Sequence, residues 1–380
     1  MITVGFPRTH KEASERRDFL PPLLASVARS GARVVIETGL GRALGLSDDD
    51  YRAAVPNLAV VPSRAAAWAQ SIVVVLRSPE VDEYDALIKP GTTVVSMLHL
   101  PTRPRRVARL NALQAFAVSL DGIADDEGTR LVENMRAVGW NGLEAAFTAL
   151  ERFNPQRLVP TARTLQVTVM GAGQVGKHAA EAAIKYGSRD RWAEWSQRMV
   201  PPVAATIIGR RIVASPALLD EQLRGTDVLV DATQRDRSDE RLIANAALGG
   251  LPPHAVICDL NVDPYVPSGT PPTVRGIEGI PMGTLDQFIF APDDEHWGDT
   301  IPRAVPQDVR RAVVSCYSWP GIRPRECMEH YGRQLEPFLK RLVERGGGAR
   351  LPSGGDVIDR ALWRAGLEAI GGSTQQGRTA

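Results

Sequence analysis

A glycine-rich segment near the middle of the chain carries the clearest chemical signal. Gly171, Gly173 and Gly176 form a GxGxxG pattern within VMGAGQVGKHAAEAAIKYG, after an apolar run and at the start of an alanine-rich stretch. Between a strand and a helix, the first glycine permits a tight turn and the second lets a pyrophosphate approach the backbone. The third lets the helix pack closely on the strand. We therefore predict a dinucleotide site, which includes Gln174 and Val175 at the start of the helix.

The same letters also fit a triphosphate-binding loop. Gly171 to Lys177 matches GxxxxGK, but a loop of that kind needs Ser or Thr next to hold Mg²⁺, and the next residue is His178. The missing hydroxyl favours the dinucleotide.

The acidic half of the dinucleotide pattern is missing. NAD sites usually have an acidic residue at the end of the second strand, about 20 residues beyond the glycines. That distance falls in 189–202, which does not have a strand pattern, and the next apolar run is followed by Arg210 and Arg211. These arginines suit the 2′-phosphate of NADP, or they are loop charges without a ligand. The predicted cofactor is therefore NAD or NADP, and Thr233, after DVLVDA, completes the cofactor-binding candidates.

Two residues near the ends of apolar runs have suitable side chains for acid–base and anion chemistry. His99 follows TTVVSML, and histidine exchanges protons near neutral pH. Arg77 ends SIVVVLR; because arginine stays charged, it is a poor proton carrier but binds a carboxylate with two hydrogen bonds. The alternative for each is a strand-end charge with no ligand.

Apolar runs and helical patterns alternate along the chain, which predicts an α/β fold with parallel sheets. Strands are expected at 2–6, 32–39, 71–77, 92–100 and 116–121, and a second series begins at TLQVTVMGAG and continues at 204–209, 227–233 and 255–263. Helices are expected at 19–31, 47–54, 130–153 and 327–347, and the chain after Pro306 is expected to be helical. The polar tail 371–380 is predicted to be disordered.

Composition narrows the class of protein. A chain of 380 residues is expected to form two domains, and 43% hydrophobic and 23% charged residues are typical of a soluble globular protein. A net charge of +1 argues against nucleic-acid or acidic-membrane binding. Three scattered cysteines without a CxxC pair argue against a disulfide framework or a metal site. We find no secretory signal and no apolar run of about 20 residues, so we expect a cytoplasmic protein.

Several segments resemble the alanine dehydrogenase / NAD(P) transhydrogenase α-subunit superfamily. In order they are PRTHKEASERRDFLP, ETGLGRALGLSDDDYRAA, VLRSPE and MLHL, followed by the GxGxxG pattern. The stretch 119–150 is similar to the lysine-forming saccharopine dehydrogenases, and the ERR…LP opening is similar to N5-(carboxyethyl)ornithine synthase. The resemblance implies two Rossmann-like, doubly wound domains with a cleft between them. Residues 1–130 with 305–370 would form the substrate domain, and 131–304 the NAD(P)-binding domain.

The resemblance also implies roles for individual residues. His99 matches the general acid/base histidine of the family, and Arg77 stands where the family usually has a catalytic lysine. Alignment on different landmarks selects either Arg16 or Arg17 as the arginine that binds the substrate carboxylate. Asp263 matches an aspartate beside the nicotinamide ribose, and we count it with His99 and Arg77 as catalytic.

These observations predict a soluble NAD(P)-dependent oxidoreductase that transfers hydride between nicotinamide and the Cα of an amino acid or opine-type secondary amine. Its partners would be the amino acid or 2-oxo acid and, as in relatives, further copies of the chain, without nucleic acid or membrane. Two alternatives stay open: a non-catalytic nicotinamide-nucleotide-binding protein, which the missing acid and lysine favour, and the soluble arm of a transhydrogenase.

Overall fold

The computed structural model describes residues 1–235, 237, 239–269 and 272–369. They fall into two units, one made of residues 1–134 and 323–369 and the other of residues 135–322. The predicted disordered tail, 371–380, lies outside the described residues.

The first unit is built on a six-stranded parallel sheet with the strand order β3-β2-β1-β4-β5-β6. Its strands are β1 Thr3–Phe6, β2 Arg33–Glu37, β3 Ala59–Val61, β4 Ile72–Arg77, β5 Thr93–Met97 and β6 Phe116–Ser119. The helices between them are α1 Pro21–Arg29, α2 Asp48–Ala54, α3 Arg64–Trp68, α4 Tyr84–Leu87 and α5 Pro104–Ala112. The strand order reverses between β1 and β4, and ligands of such sheets bind outside the carboxyl ends of the strands at this point.

Alternate residues of the strands enter two cores on opposite faces of this sheet. Along β4, Ile72, Val74 and Leu76 pack in one core, whereas Val73 and Val75 pack in the other. Successive side chains of a strand point to opposite faces, so a continuous apolar run is what a sheet covered on both faces requires. The long apolar runs of the sequence therefore became central strands.

The second unit has its own six-stranded sheet, in the order β11-β12-β10-β9-β7-β8. Its strands are β7 Leu165–Met170, β8 Val203–Ile208, β9 Val228–Asp231, β10 Val256–Asp259, β11 Ile289–Phe290 and β12 Ala312–Ser315. Its helices are α6 Met135–Phe153, α7 Gln174–Ile184, α8 Arg189–Gln197, α9 Arg210–Val213 and α10 Pro216–Arg224. All pairs are parallel except β11 with β12, and the order reverses between β7 and β9. The predicted fold of two doubly wound α/β units is confirmed.

The helix expected over 130–153 begins only at Met135, and its glycines do not break it. A Cβ on Gly139 would lie 2.8 Å from the backbone nitrogen of Ala179 in α7. A Cβ on Gly142 would lie 2.1 Å from the side chain of Leu260. Both glycines thus allow α6 to pack closely on its neighbours within the second unit.

The helix expected over 327–347 is confirmed by a helix at Pro324–Arg345, but the chain between Pro306 and that helix first forms a strand. Ala312–Ser315 forms β12, which pairs with β10 in the second sheet. The chain returns to the first unit at Arg323, later than the predicted residue 305, and there forms α11 Pro324–Arg345 and α12 Val357–Arg364. A four-residue strand with buried partners on both sides has no periodicity by which sequence could separate it from a helix start.

Candidate active site

His99 lies two residues beyond β5, at the carboxyl edge of the first sheet, and is paired with Asp121. Its Nδ1 lies 3.2 Å from Oδ2 of Asp121, which follows the neighbouring strand β6. The His99 side chain is 52% exposed, whereas that of Asp121 is 11% exposed. A carboxylate on Nδ1 selects the tautomer that carries the proton there, which leaves Nε2 to exchange a proton with a ligand.

Asp121 also fixes the backbone of His99. The His99 N–H donates to Oδ1 of Asp121 at 3.1 Å, and His99 has a left-handed backbone with φ 49°. This conformation costs a non-glycine residue roughly 1 kcal/mol, so it indicates a constraint from the surroundings. Ser119 donates its hydroxyl to the same carboxylate at 2.6 Å. Burial alone would raise the pKa of Asp121, but the bonds from His99 and Ser119 hold that pKa well below its ordinary value. Asp121 therefore stays an acceptor at any physiological pH.

Arg17 and Arg77 are two of the three arginines predicted to bind a substrate carboxylate, and their side chains lie in a network with two glutamates. Arg17 donates from Nε to Glu15 at 2.8 Å, and Arg77 donates to Glu15 at 2.8 Å and to Glu12 at 2.8 and 2.9 Å. Burial would raise the pKa of Glu15, yet its bonds to Arg17 and Arg77 lower it to about 2. The network of Glu12, Glu15, Arg17 and Arg77 therefore balances two positive charges with two negative charges.

Arg16 and Arg17 differ in accessibility. Arg17 is buried, and its side chain is 6% exposed. Arg16 is exposed, and its side chain has no hydrogen bond or ion pair among the residues that the structure describes. Lys11 contributes a further cation to this edge, since it pairs with Glu80 just beyond β4.

The glycine loop lies between β7 and α7, as predicted. Gly171 has a φ of 103°, and a Cβ there would lie 2.6 Å from the carbonyl oxygen of Ala232. A Cβ on Gly176 would lie 1.9 Å from the carbonyl oxygen of Gly171. By contrast, a Cβ on Gly173 would meet no atom within 4 Å, so the loop leaves open space at the middle glycine.

This geometry fits a pyrophosphate. Gly173 precedes the first turn of α7, where Gln174 is exposed and Val175 is half-buried. The first N–H groups of a helix have no partner within it and attract anions. Two glycines thus shape the turn, and the third leaves room for the ligand.

The arginines after β8 lie at the first turn of the short helix α9, and both are exposed. Arg210 donates to the carbonyl oxygen of Gln234 at 3.1 Å. Thr233, beyond β9, donates its hydroxyl to Asp231 at 2.6 Å and its N–H to the same oxygen at 3.0 Å. The structure therefore uses the Thr233 hydroxyl to hold Asp231, which is the last residue of β9.

Asp263 lies in the loop after β10, which ends at Asp259, and its carboxylate is paired with Arg235. Asp259 is paired in turn with the buried Arg275, which also donates to the carbonyl oxygen of Asp263 at 3.0 Å. Together with Asp231 these residues form an acid–arginine cluster, defined here as Asp231, Asp259, Asp263, Arg235 and Arg275. It lies along the carboxyl ends of β9 and β10.

Sequence reasoning missed Asp121, Glu12, Glu15 and Arg235. A signal for Asp121 was present, because it follows an apolar run just as His99 does, and adjacent parallel strands bring such positions together. No comparable signal pointed to Glu15 or Arg235, since Glu15 binds Arg77 and Arg235 binds Asp263, and both partners are distant in sequence.

Comparison with known proteins gives the family. The model of the alanine dehydrogenase/PNT N-terminal domain matches residues 5–137, and that of the C-terminal domain matches residues 143–270. The chain belongs to the alanine dehydrogenase/PNT family. The predicted superfamily is confirmed, and with it an oxidoreductase fold of the NAD-binding Rossmann type; family members bind NAD(H) or NADP(H).

Individual relatives agree with this assignment. Alanine dehydrogenase from Mycolicibacterium smegmatis is 24% identical over 273 residues, which cover 69% of this chain and 73% of that protein. Alanine dehydrogenase 2 from Staphylococcus aureus is 22% identical over 272 residues, with coverage of 69% and 72%. At the coarse level, these relatives support an NAD-dependent amino-acid dehydrogenase.

Solved structures share the fold. An L-alanine dehydrogenase structure superposes with a TM-score of 0.71 at 19% identity and covers 98% of this chain and 99% of its own. A transhydrogenase structure from Sinorhizobium meliloti gives a TM-score of 0.62 at 17% identity and covers 90% and 94%. In the part of the chain that the structure describes, we find no helix with the length and apolar character of a membrane span.

Proposed function

We propose that this alanine dehydrogenase/PNT family member is an NAD(P)-dependent dehydrogenase of an amino acid or an opine-type secondary amine. The observation that carries the proposal is the His99–Asp121 pair, in which a half-exposed imidazole is oriented by a shielded carboxylate 3.2 Å away. Such a pair is what a reaction needs when it removes a proton from a substrate nitrogen.

The second unit would hold the cofactor. The open space at Gly173 and the N–H groups that begin α7 would receive its pyrophosphate. When bound, the nicotinamide supplies the acceptor for the hydride that leaves the substrate Cα. Arg210 and Arg211 lie beyond β8, on the side where a 2′-phosphate would be bound.

The first unit would handle the proton and the carboxylate. As the carbon–nitrogen bond gains double-bond character, Nε2 of His99 takes the proton from the substrate nitrogen, and Asp121 stabilises the resulting imidazolium. Arg77 does not replace the lysine of the family as a proton carrier, because it stays charged and is bound to Glu12 and Glu15. Its role would be to bind the substrate carboxylate.

Either arginine of the Arg16–Arg17 pair would assist Arg77. Arg16 is accessible to a ligand, whereas Arg17 is held by Glu15 and would act by keeping that glutamate in place for Arg77. Steady-state kinetics of Arg16→Gln and Arg17→Gln separate these roles. Substitution of the arginine that contacts substrate should raise KM for the 2-oxo acid without lowering cofactor affinity.

The function is tested by following nicotinamide absorbance with NADH or NADPH and pairs of a 2-oxo acid with ammonium or with an amino acid. Ammonium pairs report alanine-type substrates, and amino-acid pairs report opine-type substrates. We expect turnover with at least one pair, loss of turnover in His99→Ala, and unchanged cofactor affinity in that variant. Retained turnover in His99→Ala would overturn the role of this residue. Cofactor binding without turnover on any pair would support the non-catalytic alternative.

The choice of cofactor is tested by calorimetric titration with NADH and NADPH. Tighter NADPH binding that is lost in Arg210→Gln or Arg211→Gln would give these residues the 2′-phosphate. If the variants bind NADPH as tightly as the wild type does, Arg210 and Arg211 are loop charges without a ligand.

A further inference from the structure

The loop after β9 contributes an arginine that is buried deeply for a charged residue. The Arg235 side chain is 2% exposed and forms an ion pair with Asp263. Its second terminal nitrogen donates to the carbonyl oxygen of Glu240 at 2.6 Å and to that of Val274. Its Nε is buried without a hydrogen-bond partner in the described structure. Burying a guanidinium with one unsatisfied N–H costs free energy, so packing of the loop alone does not explain an arginine at this position.

The two terminal nitrogens of Arg235 have different kinds of partner. One nitrogen is anchored on main-chain carbonyls of two segments, and the other reaches the Asp263 carboxylate. Asp263 is 33% exposed at its side chain, so one part of the carboxylate faces away from the protein. Arg275 holds the Asp263 carbonyl oxygen at 3.0 Å, and the Asn261 amide lies 3.4 Å from its carboxylate. Backbone and side chain of Asp263 are thus held by different residues.

The position of Asp263 and Arg235 in the second sheet indicates which half of the predicted dinucleotide would lie near them. The strand order of the second sheet reverses between β7 and β9, and the two halves of a dinucleotide lie on either side of such a point. Arg210 and Arg211 follow β8, on one side, whereas Asp263 follows β10, on the other. Asp263 therefore lies on the nicotinamide side, where a carboxylate can accept hydrogen bonds from ribose hydroxyls.

We propose that Arg235 is a positioning residue for cofactor binding, which holds the Asp263 carboxylate in the orientation that accepts the ribose hydroxyls of the nicotinamide half. The proposal rests on the proposed function, because it requires that the second unit bind a nicotinamide dinucleotide. Arg235 itself does not contact the cofactor and acts through Asp263.

A double-mutant cycle on cofactor affinity tests this inference, because residues that act through one another are not additive. NADH dissociation constants are measured by fluorescence titration, or NADPH constants if that cofactor binds more tightly, for wild type, Arg235→Gln, Asp263→Asn and the double variant. We expect each single change to weaken binding about tenfold and the double change to weaken it no further than Asp263→Asn alone. Arg237→Gln is the matched control, since Arg237 lies in the same loop, is 74% exposed and pairs only with Asp239 among the described residues. It should bind as wild type does.

The outcomes are distinguishable. If the two single effects multiply in the double variant, Arg235 supports the loop and not Asp263, and the inference is overturned. Unchanged affinity in Arg235→Gln also overturns it, while binding by wild type leaves the proposed function intact. Absence of binding by wild type itself refutes the proposed function first. If Arg235→Gln does not fold, as judged by circular dichroism, Arg235→Lys keeps the cation but not the guanidinium geometry. It should weaken binding in wild type and not in the Asp263→Asn background.

Discussion

Replacing Asp121 with asparagine should slow turnover without preventing cofactor binding. The carboxylate accepts three hydrogen bonds, from His99 Nδ1 at 3.2 Å, from the His99 N–H at 3.1 Å and from the Ser119 hydroxyl at 2.6 Å. Asparagine has nearly the same shape but lacks the negative charge that stabilises a protonated imidazole. The change therefore acts on the protonated state of His99 more than on the fold.

The magnitude follows from the bond that is lost. A hydrogen bond to a charged group is worth about 1.5–3 kcal/mol, and about 1.4 kcal/mol corresponds to a tenfold change in rate. We expect a decrease in kcat of roughly 10- to 150-fold with the best substrate pair, with a Kd for the dinucleotide within about twofold of wild type. The assay is the initial rate of NADH or NADPH oxidation between pH 6 and 9, and a parallel titration gives the Kd of the cofactor.

Glu127→Gln is the matched control for this experiment. Glu127 lies in the same acidic stretch, but it is exposed and its side chain has no hydrogen bond or ion pair among the described residues. It should turn over as wild type does. A folded Asp121→Asn enzyme with wild-type kcat over the whole pH range would refute the reasoning, because the His99–Asp121 pair would then have no role in proton transfer.

The remaining predictions concern the glycine loop and the buried glutamate. Gly173→Val should leave the unfolding midpoint nearly unchanged and abolish cofactor binding, because its Cβ enters open space. Gly176→Ala should instead lower the midpoint, because its Cβ would lie 1.9 Å from the carbonyl oxygen of Gly171; thermal melts and titration compare the two. Glu15→Gln should lower the free energy of unfolding by roughly 3 kcal/mol at pH 7, since the folded pKa is about 2 against an ordinary 4.5. The stabilisation by this depressed carboxyl is full above its unfolded pKa and is lost as the pH falls through its folded pKa, so urea titrations should show wild type and variant converging towards pH 2. Equal unfolding free energies at pH 7 would contradict the network.

The comparison of sequence and structure is most instructive at the strand ends. The positions of His99 and Arg77 at the carboxyl edge of one sheet were predicted because each follows a continuous apolar run. The GxGxxG pattern likewise predicted its own strand, turn and helix, since the need for glycine at Gly171 and Gly176 arises from atoms close by in sequence or in the adjacent strand. A strand, a turn and a helix that follow one another in a short segment can be predicted from the residues of that segment.

The partners of these residues could not be predicted from the sequence. Arg77 was expected to bind a substrate carboxylate, and the sequence did not indicate that it is also bonded to Glu12 and Glu15, more than 60 positions away in the chain. Asp263 was expected beside the nicotinamide ribose, and the sequence did not indicate that Arg235 binds its carboxylate. A sequence shows which charges exist, whereas the register of the strands and the conformation of each loop decide which of them meet.

The amino-acid sequence by itself thus determined the two α/β units, the glycine loop and the strand ends at which chemistry was to be expected. These follow from periodicity and from the steric needs of single residues. Only the tertiary structure decided that Asp121 orients His99, that Glu15 and Glu12 neutralise the arginines, and that β12 belongs to the second sheet. The physical reason is that a parallel sheet aligns segments that are 20 to more than 60 residues apart, and hydrogen bonding and charge compensation depend on distances of a few ångströms that only this alignment sets.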